Sequence, residues 1–199
     1  MTDAKIILLN NLLVANNGIV KTETLAKNGF SSRDIKRLNE DGLLKRIKQG
    51  YYIEKQSEVC DTVIAARLIP MGVLCLYTAV DFYGLATVNP SEICVALPRG
   101  ATCPVIPPNL YVKVYHMAKS HFEAGISEAE INGATVRMYN AEKTVCDCFK
   151  YENEVERNVA LEVLKNYIAR SSCNIQKLLE YAKLIGKKKI IYPYVEALI

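Results

Sequence analysis

The chain has 199 residues, half of them hydrophobic, with seven cysteines and a formal net charge of +4. This is enough to bury a substantial core in one large domain or two small ones. No apolar run approaches the roughly 18 residues of a membrane span, and the opening "MTDAKIILLNNLL" lacks the basic start and cleavage site of a signal peptide, so a cytoplasmic globular protein is expected.

Ile6, Leu9 and Leu13 recur at helical spacing and predict a first helix over 3–16, stopped at Gly18. "GIV" reads as a short extended link. Thr22 can cap a short helix, "ETLAKN", that buries Leu25 and Ala26 and ends at Gly29. The next helix opens at Ser31, where Asp34 three residues on completes a capping box, and it ends at Gly42. After it "LLKRIKQGYYI" carries Gly50 at a hairpin turn, with the inward face readable from either Leu43 or Leu44. Helix, helix, turn, helix and hairpin in this order make a winged helix-turn-helix over residues 1–56.

From residue 57 onward an α+β domain is expected, so that the whole chain is α+β. "EVCDTVIAARLI" and "VLCLYTAVDFYGLA" read as helices, the second ending at Gly84. "EICVALP", "LYVKVYHM" and "GATVRMY" have the composition of strands, and helices follow at 141–149, 154–169, 174–185 and 190–198. The segment "RGATCPVIPPN" holds too many prolines for regular pairing.

The charge is unevenly spread. Residues 1–56 contain ten Lys or Arg against six Asp or Glu, while 57–199 contain fifteen of each, so the whole excess lies in the first quarter. In the third helix Lys36, Arg33 and Arg37 fall opposite the buried side set by Ile35 and Leu38. A solvated face is the bland reading of such a cluster. The preceding helix and turn, the N-terminal Ser31 and Ser32 that can meet a phosphate, and Lys45, Arg46, Lys48 and Gln49 in the wing all favour a surface for DNA. Two further basic groups are candidates for secondary contacts: Arg99 in the turn of "ALPRG", and Lys187, Lys188 and Lys189. For each the polar-loop or solvated-helix reading stays open.

The cysteines are scattered, odd in number and without a CxxC; they read as reduced core residues in a reducing compartment. Cys146 and Cys148, two apart on a helix, cannot share one ion, so no metal is expected. His116 and His121 have no recognisable partner, Glu128 and Glu130 read as loop residues before "INGATV", and no cofactor signature is present. P-loop, GxSxG, HExxH and GxGxxG are absent, and adjacent Glu142 and Lys143 lack the ExK spacing of a metal nuclease; a non-enzymatic protein is expected.

The stretch "GIVKTETLAKNGFSSRDIKRLNEDGLLKRIKQGYY" resembles the N-terminal winged helix of AbiEi-family antitoxins, with Leu38, Gly42, Leu43, Leu44, Arg46, Ile47, Gly50 and Tyr52 at the matching places. "ICVALPRG" and "VRMYNAEKTVCDCF" are similar to that family's C-terminal domain, so the resemblance spans nearly the whole chain. It implies an antitoxin of a type IV toxin–antitoxin system active in phage defence. The first domain would repress its own operon by binding inverted repeats in the promoter. The second, 57–199, would counteract a nucleotidyltransferase-like toxin without a stable complex. Two copies on the DNA are expected from the repeats. The competing reading is an ordinary transcriptional repressor with a ligand-sensing or oligomerising C-terminal domain.

Overall fold

The computed structural model describes residues 3–16, 18–55 and 59–199. It divides into two units, each with its own core. One takes in the chain up to Leu68 together with Val105–Leu110 and Ile131–Ala134; the other comprises Ile69–Pro104, Tyr111–Glu130 and Thr135–Ile199. The boundary expected between residues 56 and 57, and the helix start expected at Glu58, fall outside the described residues.

The first unit runs α1 (Asp3–Ala15), β1 (Ile19–Lys21), α2 (Thr22–Lys27), α3 (Ser32–Glu40), β2 (Leu44–Lys48), β3 (Tyr51–Glu54) and α4 (Asp61–Leu68). The expected extended link "GIV" enters a sheet: β1 pairs antiparallel with β3, which pairs antiparallel with β2, giving the order β1-β3-β2. Leu9, Leu13, Val20, Leu25, Phe30, Ile35, Leu38 and Leu44 form one buried cluster beneath α1, α2, α3 and the sheet. Each such side chain contributes roughly 1.5–3 kcal/mol by leaving water. Two local expectations are corrected. Ala26 is exposed, because it lies a quarter turn beyond Leu25. Thr22 is the first helical residue rather than the cap; Lys21 precedes the helix and makes no side-chain cap bond.

Leu44, and not Leu43, points inward. Gly42 decides this. It ends α3 in the left-handed region, at φ +74°, and the Leu43 amide donates back to the Leu38 carbonyl at 2.9 Å. With the Gly42 amide also bonded to the Asn39 carbonyl at 3.3 Å, this helix end fixes the direction in which β2 leaves and with it the phase of every residue in the hairpin.

The second unit is built on a five-stranded sheet of order β6-β5-β4-β8-β7, from β4 (Val73–Leu74), β5 (Ile93–Pro98), β6 (Val112–Met117), β7 (Ile126–Ile131) and β8 (Ala134–Tyr139). β5 and β6 are parallel, as are β4 and β8, while β4 and β5 are antiparallel. The proline-rich segment 99–111 is irregular throughout and supplies the long connection that a parallel pair requires. Helices α5 (Leu76–Phe82), α6 (Lys119–Glu123), α7 (Ala141–Lys150), α8 (Arg157–Ile168), α9 (Ile175–Leu184) and α10 (Lys188–Leu198) complete the unit. α7 is its centre: Glu142 through Phe149 are all buried, and α5, α8 and α9 pack on it.

Two expectations fail here. Residues 73–86 are not one helix, because Val73 and Leu74 are buried in the sheet before α5 begins. Glu128 and Glu130 are not in a loop: they lie on the exposed face of β7, alternating with buried Ala129. The chain is thus a mixed α+β fold with two sheets. Among the described residues no helix is long and apolar enough to cross a membrane.

Candidate nucleic-acid interface

α3 begins with the capping box that its sequence specifies. The Asp34 amide donates to Ser31 Oγ at 3.2 Å, and the Ser31 amide and hydroxyl donate to Asp34 Oδ2 at 2.9 and 2.8 Å. Lys5 on α1 donates to the same oxygen at 2.9 Å. The Lys5 ammonium foremost, and then Ser31, hold the Asp34 carboxyl well below the usual carboxylate range. Its lowered value means that this contribution to stability is present above about pH 4 and is lost as the pH falls through the folded-state value. Acid unfolding of the wild type and of Asp34→Asn is expected to show the wild type ahead at neutral pH and its advantage vanishing in strong acid.

The cap leaves the rest of α3 free to present its other side. Ser32, Arg33, Lys36 and Arg37 are exposed, and Ile35 and Leu38 are buried. Arg33 makes no ion pair among the described residues. Lys36 and Arg37 face Glu40 at 3.7 Å and Asp41 at 3.6 Å, one turn on. Exposed pairs of this kind contribute only about 0.3–0.5 kcal/mol. Arg33, Lys36 and Arg37 thus share the exposed side of α3, while Asp34 is taken up by the cap and Glu40 and Asp41 stand at the C-terminal end.

The hairpin divides its cations between two faces. Strand alternation from Leu44 turns Arg46 toward α3, where Arg46 and Tyr52 line a cleft of about 290 Å³ with Thr22, Ser32, Ile35, Lys36 and Asn39. The Arg46 amide donates to Asn39 Oδ1 at 3.3 Å, tying β2 to α3. Lys45, opposite Ile53, lies on the other face of the sheet. A register shift between Arg46 and Lys48 then places Lys48 beside Tyr51, its ammonium 4.7 Å from the ring centroid, with Lys21 at 5.5 Å from the same ring. Lys48 also donates to the Val105 carbonyl at 3.3 Å. Gln49 is exposed in the turn. The structure thus gathers Ser32, Lys36 and Arg46 at one cleft, sets Arg33 and Arg37 farther round the same helix, and puts Lys45 and Lys48 across the sheet. Asn39, Lys21 and Tyr51 were not singled out from the sequence; Lys21 and Tyr51 become visible once they are cross-strand neighbours.

The remaining candidate cations belong to the second unit. Arg99 is exposed in the turn after β5, its amide bonded to the Met117 carbonyl at 2.7 Å. Lys187 pairs with Glu152 at 3.3 Å, and Lys188 and Lys189 are exposed at the start of α10, Lys188 lying 5.9 Å from the Tyr192 ring centroid. His116 and His121 bond through Nε2 to the Ala101 and Leu184 carbonyls.

α7 carries an unforeseen feature. Lys143 and Asp147, one turn apart, are 0% and 2% exposed, and the Lys143 ammonium meets both Asp147 oxygens at 2.6 Å. The Tyr139 ring lies under the ammonium at 4.3 Å. Burial pushes the Asp147 carboxyl upward against the pull of Lys143. Beside them Glu142 accepts from the Tyr167 hydroxyl at 3.1 Å and pairs with Lys177 at 3.3 Å. Every partner here is another group of the same unit, which fits a pin that fixes α7 rather than a site awaiting a substrate.

Comparison with protein-family models and with curated proteins finds no match. Among solved structures the chain is similar to the crystal structure of the RV2827C protein from Mycobacterium tuberculosis, with a TM-score of 0.57 at 12% sequence identity, over 92% of this chain and 77% of that one. At that identity the likeness concerns the fold.

Proposed function

We propose that the first unit is a winged helix-turn-helix that binds double-stranded DNA, with α3 in the major groove and the β2–β3 hairpin as the wing. The observation that carries this reading is the convergence of Lys36 on α3 and Arg46 on β2 at one cleft, with Arg33, free of ion pairs among the described residues, farther round the same helix and Asp34 already held by Lys5 and Ser31. With the resemblance of the whole sequence to AbiEi-family antitoxins, it supports a cytoplasmic, non-enzymatic repressor that binds inverted repeats in its own promoter. The second unit then acts as the antitoxin that counteracts a nucleotidyltransferase-like toxin.

The test is binding of the full chain to the DNA directly upstream of its own reading frame. Arg33→Ala with Arg37→Ala is expected to abolish preference for that fragment over unrelated DNA while leaving neutralisation of the toxin, scored by coexpression, intact. Unchanged affinity and unchanged salt dependence in the double variant overturn the assignment of α3. A cleft of about 340 Å³ in the second unit, between Tyr77, Cys94, Tyr115 and Glu156, favours the alternative of a ligand-sensing repressor. A toxin gene beside this one separates the two, since a ligand-sensing repressor needs none.

A further inference from the structure

A cleft of about 340 Å³ opens in the second unit against the edge strand β6. Residues two apart on a strand share a face, so Lys113 and Tyr115 stand together, and parallel pairing sets Cys94 of β5 opposite Lys113. Tyr115 and Cys94 are buried; Tyr77 of α5, Val88 and Val159 of α8, all half-buried, complete an apolar and aromatic lining. The turn after α7 is anchored by buried Val155, and the residues on either side of that anchor, Glu154 and Glu156, stand exposed at the rim with Glu92. The volume falls in the range of roughly 300–1,000 Å³ that small-molecule sites occupy.

The charges of the rim do not balance. Three carboxylates line the cleft against one ammonium. That ammonium, of Lys113, is paired with Glu154 and lies 5.8 Å from the Tyr115 ring centroid. The protein's own side chain thus shows what this lining holds: an ammonium set between a carboxylate and an aromatic ring. The carboxylates of Glu92 and Glu156 make neither an ion pair nor a hydrogen bond among the described residues. An excess of two negative charges therefore borders a lining of tyrosine and aliphatic carbon, and its complement is a cation with an apolar body. Two features suit an anion instead: Lys113, and the start of α8, which has no side-chain cap bond. The first is neutralised by Glu154, and the second begins at a carboxylate, that of Glu156. Burial pushes the Cys94 thiol up, so it stays neutral and offers no nucleophile.

We infer that this cleft binds a small organic cation, a primary amine on an aromatic or aliphatic body, with its ammonium on the free carboxylates of Glu92 and Glu156 and its body against Tyr77 and Tyr115. The ligand-sensing alternative leaves the ligand open; the charge of the rim sets its class. The site lies wholly in the second unit, so its occupancy is independent of what α3 binds.

Calorimetric titration of the full chain with 2-phenylethylamine is expected to give a dissociation constant on the order of 0.1–1 mM. Phenylacetate, the same ring with the opposite charge, is expected to bind at least about tenfold more weakly. Glu92→Gln with Glu156→Gln keeps size and shape at two exposed positions, leaves the thermal unfolding curve in place, and is expected to weaken the amine at least about tenfold. Lys113→Met acts with the opposite sign: it releases Glu154 and is expected to tighten the amine severalfold, whereas a site for an anion loses affinity. Raising the salt concentration is expected to weaken the amine as well. Phenylacetate bound as tightly as the amine, a double variant of unchanged affinity, a Lys113→Met protein that holds the amine less tightly, or a wild type that takes up no amine at about 10 mM overturns the cation site. If the double variant fails to fold, the sign of the Lys113→Met effect decides alone.

Discussion

Replacing Lys143 with Met lowers the stability of the second unit by about 3–5 kcal/mol, because the substitution leaves the Asp147 carboxylate buried without its counter-ion. Both oxygens of that carboxylate are bonded to Lys143 at 2.6 Å, and the pair is all but inaccessible to water. Asp147→Asn, which strands the ammonium, is expected to cost a comparable amount. The double replacement Lys143→Met with Asp147→Leu removes both desolvation penalties at once and is expected to regain most of the loss. Urea unfolding followed by circular dichroism measures all of these. A double variant no more stable than the single ones would show that α7 depends on something other than the pair. Gly125→Ala attacks the same point from outside: Gly125 has φ +74°, and a Cβ there stands 2.6 Å from Lys143 Cβ. The new methyl group cannot move away from a neighbour pinned on its other side, so this substitution is also expected to destabilise strongly.

Nothing in composition or periodicity announced that pair. Lys143 and Asp147 are four apart on a helix, a spacing that on most helices joins two solvated side chains. What makes it different is the company of Val145, Cys146, Cys148 and Phe149, which leaves α7 no polar face. A helix apolar on the sides its charges do not occupy must bury those charges too. Read that way, "EKTVCDCF" signals a core helix with an internal ion pair, and the adjacent Glu142 belongs to a second network through Tyr167 and Lys177.

The first unit was more legible because its signals are local. Ser31 and Asp34 specify a helix start, Gly29 and Gly42 two helix ends, and Gly50 a turn; all act within a few residues of themselves. The second unit depends on pairings between distant segments. Val73 and Leu74 look helical beside "CLYTAV", and they become strand only because β5 and β8 lie on either side of them. β7 escaped notice because its exposed glutamates mask the alternation, although Asn132 and Gly133, both at positive φ, are the turn residues of a tight hairpin. The site was readable to the same degree. Which residues of α3 face outward follows from helical phase, whereas the sorting of Arg46 from Lys45 needed the direction of the chain after Gly42.

That sorting leads to the largest effect expected on DNA. Replacing Arg33, Lys36 and Arg46 together with Ala removes the two cations of the α3–hairpin cleft and a third from farther round α3. If each meets a phosphate or a base edge, the slope of log affinity against log salt falls by about three units, and affinity at 0.1 M salt falls on the order of 10²–10³-fold. Lys45→Ala removes a charge of the same sign one residue from Arg46 but on the opposite face of the sheet. Net charge alone predicts equal losses for Lys45→Ala and Arg46→Ala, whereas the geometry predicts that Arg46→Ala is the more costly at every salt concentration. Asn39→Ala carries no charge change at all. It frees β2 from α3 by deleting the acceptor of the Arg46 amide, and is expected to weaken binding while leaving the salt slope unchanged, since the cations remain and only their placement is lost. Fluorescence anisotropy with a labelled promoter fragment, from low to physiological salt, distinguishes these outcomes. Equal effects from Lys45→Ala and Arg46→Ala would mean that the duplex meets the hairpin edge-on rather than lying along α3.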